Sequence, residues 1–224
     1  MIADALAKIE ERIEQAARRA GRRREEITLI GVSKIKPAAA IREAYEAGLR
    51  HFGENYVQEF QTKRAELGNL PGATFHMIGH LQSNKARVAA ELFDVIQTVD
   101  SVRLARRLNE AGKRLRVLIE VRLSPEEAKS GASEQELPAL IEAVRSMENL
   151  ELRGLMVMPP WPETPEDSRP YFRRLQELAA AHGLSELSMG MTGDFEVAIE
   201  EGATMIRVGT AIFGKRKPPQ TGDR

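Results

Sequence analysis

Residues 27–53 read ITLIGVSKIKPAAAIREAYEAGLRHFG. An apolar, β-branched run (27–33) comes first, a helical pattern (38–47) follows, and a second apolar run closes the stretch at 51–53. The first run is continuous rather than alternating, which suits a strand buried on both faces of a parallel sheet. Strand, helix and strand make a βαβ unit with a right-handed crossover.

The alternation continues along the chain. Further apolar runs predict strands at 74–78, 95–99, 117–121, 152–158, 186–189 and 205–208. Helical patterns lie between them at 56–67, 84–91, 102–111, 134–147, 170–182 and 195–200. Eight β/α units in about 200 residues predict a (β/α)8 barrel near its lower size limit. A doubly wound open sheet is the competing architecture, but no Gly-x-Gly-x-x-Gly follows the first strand, which argues against its dinucleotide-binding form. Residues 3–20 predict an additional N-terminal helix, with Ala5, Leu6, Ile9, Ile13, Ala16 and Ala17 on one face and Gly21 as its C-terminal cap. The eighth barrel helix is either short or supplied by this N-terminal helix. No linker divides the chain, so it reads as one domain over 1–224 with a frayed polar tail at 215–224. The proline-rich stretch 158–165 reads as a long loop after the sixth strand.

Composition narrows the function. Lys+Arg and Asp+Glu both number 33, so the formal net charge is zero. That balance lacks the positive field of a nucleic-acid binder or a membrane-surface protein. No run of about 18 apolar residues predicts a membrane span. The charged N-terminus carries no signal-peptide core. There are no cysteines, which excludes disulfides and thiolate chemistry, and the expected compartment is the cytoplasm. Arg18, Arg19, Arg22, Arg23 and Arg24 cluster, and with Glu25 and Glu26 following they read as a solvated helix end.

Barrel active sites form where strands end. Gly190-Met191-Thr192-Gly193 and Gly209-Thr210 end the last two strand regions. Glycines there let backbone N–H groups approach a phosphate, and Thr hydroxyls add donors; ordinary turn glycines are the alternative. Of nine lysines, Lys34 stands out because it closes an apolar run. Desolvation there would favour a neutral amine able to form a Schiff base, although a snorkelling strand-end lysine has the same pattern. Lys36 precedes Pro37 and has left the strand. A phosphate cup opposite a Schiff-base lysine is the layout that pyridoxal 5′-phosphate (PLP) requires. His76 and His80 are four apart in a strand-to-loop context that does not make a helical metal face, so no metal is expected. Glu126, Glu127, Glu134 and Glu136 read as solvated charges, and Lys129-Ser130-Gly131 as a secondary anion contact. Met156, Met158 and Met189 read as barrel core.

Five stretches then carry a resemblance: GVSKIKP (31–37), FGENYVQE (52–59), HMIGHLQSNK (76–85), LSMGM (187–191) and RVGTAIFG (207–214). In this order, spread over nearly the whole chain, they resemble the pyridoxal phosphate homeostasis protein family. The resemblance implies a single barrel similar to the N-terminal domain of alanine racemase. It implies that Lys34, and not Lys36, carries PLP as a Schiff base. It implies that Arg207 faces the pyridine nitrogen, that Thr192, Gly209 and Thr210 form the phosphate cup, and that Asn55 and Met191 line the ring. Thr192-Gly193 departs from the family's usual Ser and non-glycine pair; the hydroxyl is kept and a looser loop is expected.

A guanidinium cannot accept the pyridine proton, so carbanion chemistry is weakly supported. The implied function is a monomeric PLP carrier that passes cofactor transiently to apo-enzymes without robust catalysis. The alternative is a PLP-dependent amino-acid racemase of low activity, and a third reading is a phosphate-ligand barrel with no covalent bond. Racemisation by two bases needs a group opposite the lysine. Alanine racemase draws that tyrosine from a second domain, and Tyr45, Tyr56 and Tyr171 are not expected at strand ends.

Overall fold

The structure, a computed structural model, describes residues 1–124 and 130–214. The expectations for Glu126, Glu127, Lys129 and the tail 215–224 lie outside the described residues.

Eight strands form a closed barrel in chain order. They are β1 (Thr28–Val32), β2 (His51–Glu54), β3 (Thr74–Met77), β4 (Val95–Val99), β5 (Leu115–Val121), β6 (Leu150–Val157), β7 (Glu186–Ser188) and β8 (Met205–Val208). Each pairs in parallel with the next, and β8 pairs with β1. Between them run α2 (Ala38–Glu46), α3 (Val57–Leu67), α4 (Ala86–Leu92), α5 (Val102–Asn109), α6 (Leu137–Arg145), α7 (Arg169–Ala181) and α8 (Phe195–Glu200). The N-terminal α1 spans Ile2–Arg19, and α9 (Thr210–Phe213) follows β8. The doubly wound alternative is therefore excluded.

Differences from the sequence reading are local. β5 starts two residues earlier than expected, because exposed Arg116 sits in the ladder opposite Val95 and Glu151. The helix expected over 84–91 is a 3-10 turn at Ser83–Lys85 followed by α4. The helix expected over 134–147 is shorter, Leu137–Arg145.

Strand alternation sorts the apolar side chains into two cores. Ile30, Val95, Leu118, Met156 and Met205, from five strands, pack together inside the barrel. The larger core lies between the strands and the helices. There Phe60 of α3 lies 4.9 Å from the Phe75 ring and 4.8 Å from the Phe93 ring, and burying each such side chain contributes about 1.5–3 kcal/mol.

Both suggestions for the eighth helix hold: α9 has four residues, and α1 packs across α8, α9 and α2. α1 ends in a Schellman motif, because Gly21 has φ +67° and Arg22 N–H donates to Ala17 O at 2.9 Å. The arginine cluster beyond it is not merely solvated. Arg22 donates to Ile199 O and Ala203 O at 2.9 and 2.8 Å, tying the end of α1 to the end of α8 and the turn beyond it, and Arg24 pairs with Glu10 at 2.7 Å. Among the described residues no helix is long and apolar enough to cross a membrane.

Candidate functional site

Ile30 faces the barrel interior, so the period of two turns Val32 inward as well, and Lys34 follows in the turn after β1. Lys34 is half-buried, two residues beyond β1. The turn that presents it is held from outside the barrel. Ser33 N–H donates to Gly53 O at 3.0 Å, extending the ladder. Ser33 Oγ–H donates to Glu54 Oε1 at 2.7 Å. Lys63, on α3, donates to Ser33 O at 2.9 Å and to both Glu54 carboxylate oxygens at 2.9 and 3.1 Å. It also pairs with Glu59 at 2.5 Å, whose Oε1 accepts the Ile35 N–H at 2.7 Å. Ile35 has φ +62°, a left-handed conformation that a β-branched residue rarely adopts. Burial pushes the Glu54 carboxyl up, and Lys63 opposes that shift. Lys36 has left the strand as expected, and donates to Phe213 O and Gly214 O at 2.7 and 3.1 Å.

Arg207 lies beside Ile30 in the β8–β1 ladder and is 3% exposed. Its guanidinium donates to Ser188 Oγ at 2.7 Å, Val157 O at 2.9 Å and Met158 Sδ at 3.1 Å. That uses three of its five N–H donors. Burial lowers its pKa to about 10, with Asp194 and Glu120 opposing, so it remains a cation at neutral pH.

Behind Arg207 a hydrogen-bonded line runs down the barrel. Ser188 Oγ–H donates to Gln97 Oε1 at 2.5 Å. Gln97 Nε2 lies 3.0 Å from His76 Nδ1, and His76 Nε2 lies 3.0 Å from His51 Nδ1. An amide nitrogen only donates, so these partners assign the His76 proton to Nε2, which donates to His51. Every donor then points the same way, from Arg207 toward His51.

Burial pushes the His76 imidazole well below its ordinary 6.5 and lowers that of His51. Both rings are neutral in the folded protein, whereas the unfolded chain takes up their protons near pH 6.5. Their contribution to stability therefore falls as the pH drops through that value. Glu54 and Glu120, whose carboxyls are raised, act in the opposite sense, so a difference between variants isolates His76. His76→Gln is expected to flatten the urea-unfolding free energy against pH between about 6.5 and 5, by up to about 1.4 kcal/mol per pH unit. Parallel curves for the two proteins would rule this out.

The loops after β7 and β8 converge. Thr210 Oγ1 lies 3.4 Å from Thr192 Oγ1, so the two expected cup hydroxyls meet. Gly209 lies against β1, where an added Cβ would come within 3.3 Å of Val32. The loop at Thr192-Gly193, expected to be looser, carries two hydrogen bonds at its end. Buried Asp194 accepts the Met191 N–H and the Ser168 hydroxyl, both at 2.7 Å, and pins the turn that Gly193 belongs to. An added Cβ on Gly193 would meet nothing within 4 Å, so glycine is not required there by crowding.

Asn55 follows β2, and its Oδ1 is buried without a hydrogen-bond partner among the described residues. Gly79 packs so closely on the Asn55 backbone that any Cβ would overlap it. Met156 and Met189 are core, but Met158 is 38% exposed and touches Arg207 at the mouth, contrary to expectation. His76 and His80 do not share a site: His76 is interior, whereas His80 lies 3.5 Å from Asp100. Tyr56 also differs from expectation. It follows β2 by two residues and lines a cavity with Asn55 and His80, although it is 53% exposed. The sequence reading missed Lys63, Glu54, Gln97 and Ser188.

The alanine racemase N-terminal domain family matches residues 5–217. The pyridoxal phosphate homeostasis protein of Pseudomonas aeruginosa is 49% identical over 221 residues, covering 96% of each chain. The chain belongs to the pyridoxal phosphate homeostasis protein family. PipY of Synechococcus elongatus, solved with and without PLP, is 42% identical with a TM-score of 0.85, covering 96% of this chain and 100% of that one. Alanine racemase of Corynebacterium glutamicum superposes with a TM-score of 0.69 at 22% identity, over 96% of this chain and 61% of that one. At that identity the likeness is one of fold.

Proposed function

We propose that this chain binds PLP and holds it covalently on Lys34, as a carrier in PLP homeostasis. The observation that carries the reading is the placement of Lys34 after β1, Arg207 on β8 and the Thr192–Thr210 hydroxyl pair after β7 and β8, three neighbouring strands of the closed barrel. PipY, solved with PLP bound, and the named function of the Pseudomonas relative support it. The residues present fit the cofactor: an amine, a buried guanidinium that commits three of its five N–H groups, and paired hydroxyls.

When bound, PLP supplies an aldehyde that the Lys34 amine captures as a Schiff base. Thr192 and Thr210 donate hydroxyl hydrogens to the phosphate. Gly209 keeps the loop wall low beside Val32, and Asn55 and Met191 line the ring. Arg207 donates to the pyridine nitrogen and accepts no proton from it. Ser188 and Gln97 fix the guanidinium, so the side chain does not swing aside. Without a carboxylate partner the ring is a weak electron sink, which favours holding and transient delivery to apo-enzymes over racemisation. Tyr56, the tyrosine at this mouth, caps α3 and stands half in solvent, which does not provide a fixed acid opposite Lys34.

The test is mass spectrometry of the protein loaded with PLP and reduced with borohydride. The expected result is one pyridoxyl group on the peptide containing Lys34. A protein that takes up no PLP, or that carries the group elsewhere, would overturn the assignment.

A further inference from the structure

The proposed cofactor residues other than Asn55 gather on or after β7, β8 and β1. The other half of the mouth is formed by the ends of β2, β3, β5 and β6, and it contains a cavity of about 410 Å³. Asn55, His80, Glu120, Ser130 and Met158 contribute to its wall.

Glu120 is 4% exposed. Its Oε1 accepts the Ser130 hydroxyl at 3.0 Å, and its Oε2 is buried without a partner among the described residues. Asn55 Oδ1, on the same cavity, is likewise buried without a partner among the described residues. Buried polar atoms are ordinarily paired, and leaving them unpaired costs free energy. Both unmet atoms are acceptors, and one belongs to a carboxylate. An anionic ligand would meet repulsion from Glu120, and an apolar one would leave both acceptors unmet. A primary ammonium brings three N–H donors, no acceptor and a positive charge. Ile78, Val121 and Pro159 on the same wall offer contact for an alkyl stem. Arg122 also lines the cavity, and its charge helps to lower the Glu136 carboxyl. Burial raises the Glu120 carboxyl, with Ser130, Arg207 and His80 opposing and Asp100 adding to the rise.

We infer that this cavity is a binding subsite for a primary alkylammonium group, with Glu120 and Asn55 as its acceptors. The inference deepens the carrier reading, because a primary amine is the class of ligand able to compete with Lys34 for an aldehyde. A free amino acid and a protein lysine side chain present the same ammonium, and the test separates them.

The full chain without PLP, labelled with 13C-methyl methionine, is titrated while the Met158 methyl resonance is followed. Met158→Leu assigns that resonance. With n-butylammonium the resonance is expected to move and saturate. Tetramethylammonium, a cation without N–H donors, is expected to bind at least about tenfold more weakly, as is n-butylammonium to Glu120→Gln, because each loses a charge-assisted hydrogen bond. The remaining methionine resonances show whether Glu120→Gln keeps its fold. Saturation by L-alanine as well assigns the subsite to free amino acids; saturation by n-butylammonium alone assigns it to a lysine side chain. No saturable movement, equal affinity for tetramethylammonium, or equal affinity in Glu120→Gln overturns the inference. PLP takes no part in the titration, so the subsite and the Lys34 assignment can fail separately.

Discussion

Lys63→Met is expected to lower the stability of the fold by about 3–5 kcal/mol, the cost of leaving one member of a buried ion pair alone. Lys63 is 7% exposed and Glu54 fully buried. The ammonium holds two Glu54 oxygens, the Ser33 carbonyl and Glu59. Methionine fills similar space but donates nothing, so it strands a carboxylate that burial already pushes toward protonation. Urea unfolding should show a lower midpoint with an unchanged slope, since the area exposed on unfolding is the same. Removing both partners, in Lys63→Met with Glu54→Leu, should recover most of the loss, because a buried pair replaced by apolar groups is often neutral. A loss below about 1 kcal/mol in the single variant would put the pair among surface ion pairs and defeat the argument.

The same variant should reach Lys34. Ile35 at φ +62° is held by Glu59, and Glu59 is held by Lys63. Such a conformation costs about 1–3 kcal/mol and persists only when its surroundings over-determine it. Once Lys63 is gone the turn has one fewer restraint, and the lysine it presents becomes less fixed. Glycine at position 35 would adopt this φ without strain, so adding Ile35→Gly should return part of the lost order.

The barrel was legible because strands buried on both faces leave continuous apolar runs: 95–99 and 205–208 coincide with β4 and β8. Lys34, Arg207 and the two threonines became candidates through resemblance and strand-end position. The support behind them was not. Lys63 lies on the helix face of Phe60 and Leu67, at i+3 and i−4, a signal of burial that went unused because its carboxylate partner lies on a strand. The line from Arg207 to His51 joins β8, β7, β4, β3 and β2. His51, His76, Gln97 and Ser188 each sit in an apolar run, but only the strand register shows that they share the interior. The Asp194 contacts that tighten the Thr192 loop likewise depend on Ser168, 26 residues away.

Lys34→Ala is expected to abolish the borohydride-fixed adduct and to weaken PLP binding by at least about 100-fold, the equivalent of about 2.7 kcal/mol. Lys36→Ala should retain the adduct. The two lysines differ by two positions and by what their surroundings ask of them. Lys36 Nζ donates to the carbonyls of Phe213 and Gly214, a structural task at the end of α9. Lys34 lies on the turn that Ser33, Glu54, Lys63 and Glu59 hold against β2 and α3. PLP affinity read by fluorescence in both variants, with unfolding midpoints as the check on folding, separates the readings. Undiminished affinity in Lys34→Ala would favour a phosphate-ligand barrel without a covalent bond, with Thr192, Thr210 and Arg207 supplying the binding. An adduct that moves to Lys36 would mean that the mouth selects for any nearby amine. Loss in Lys34→Ala alone makes the restrained turn, rather than the number of amines at the mouth, the determinant of capture.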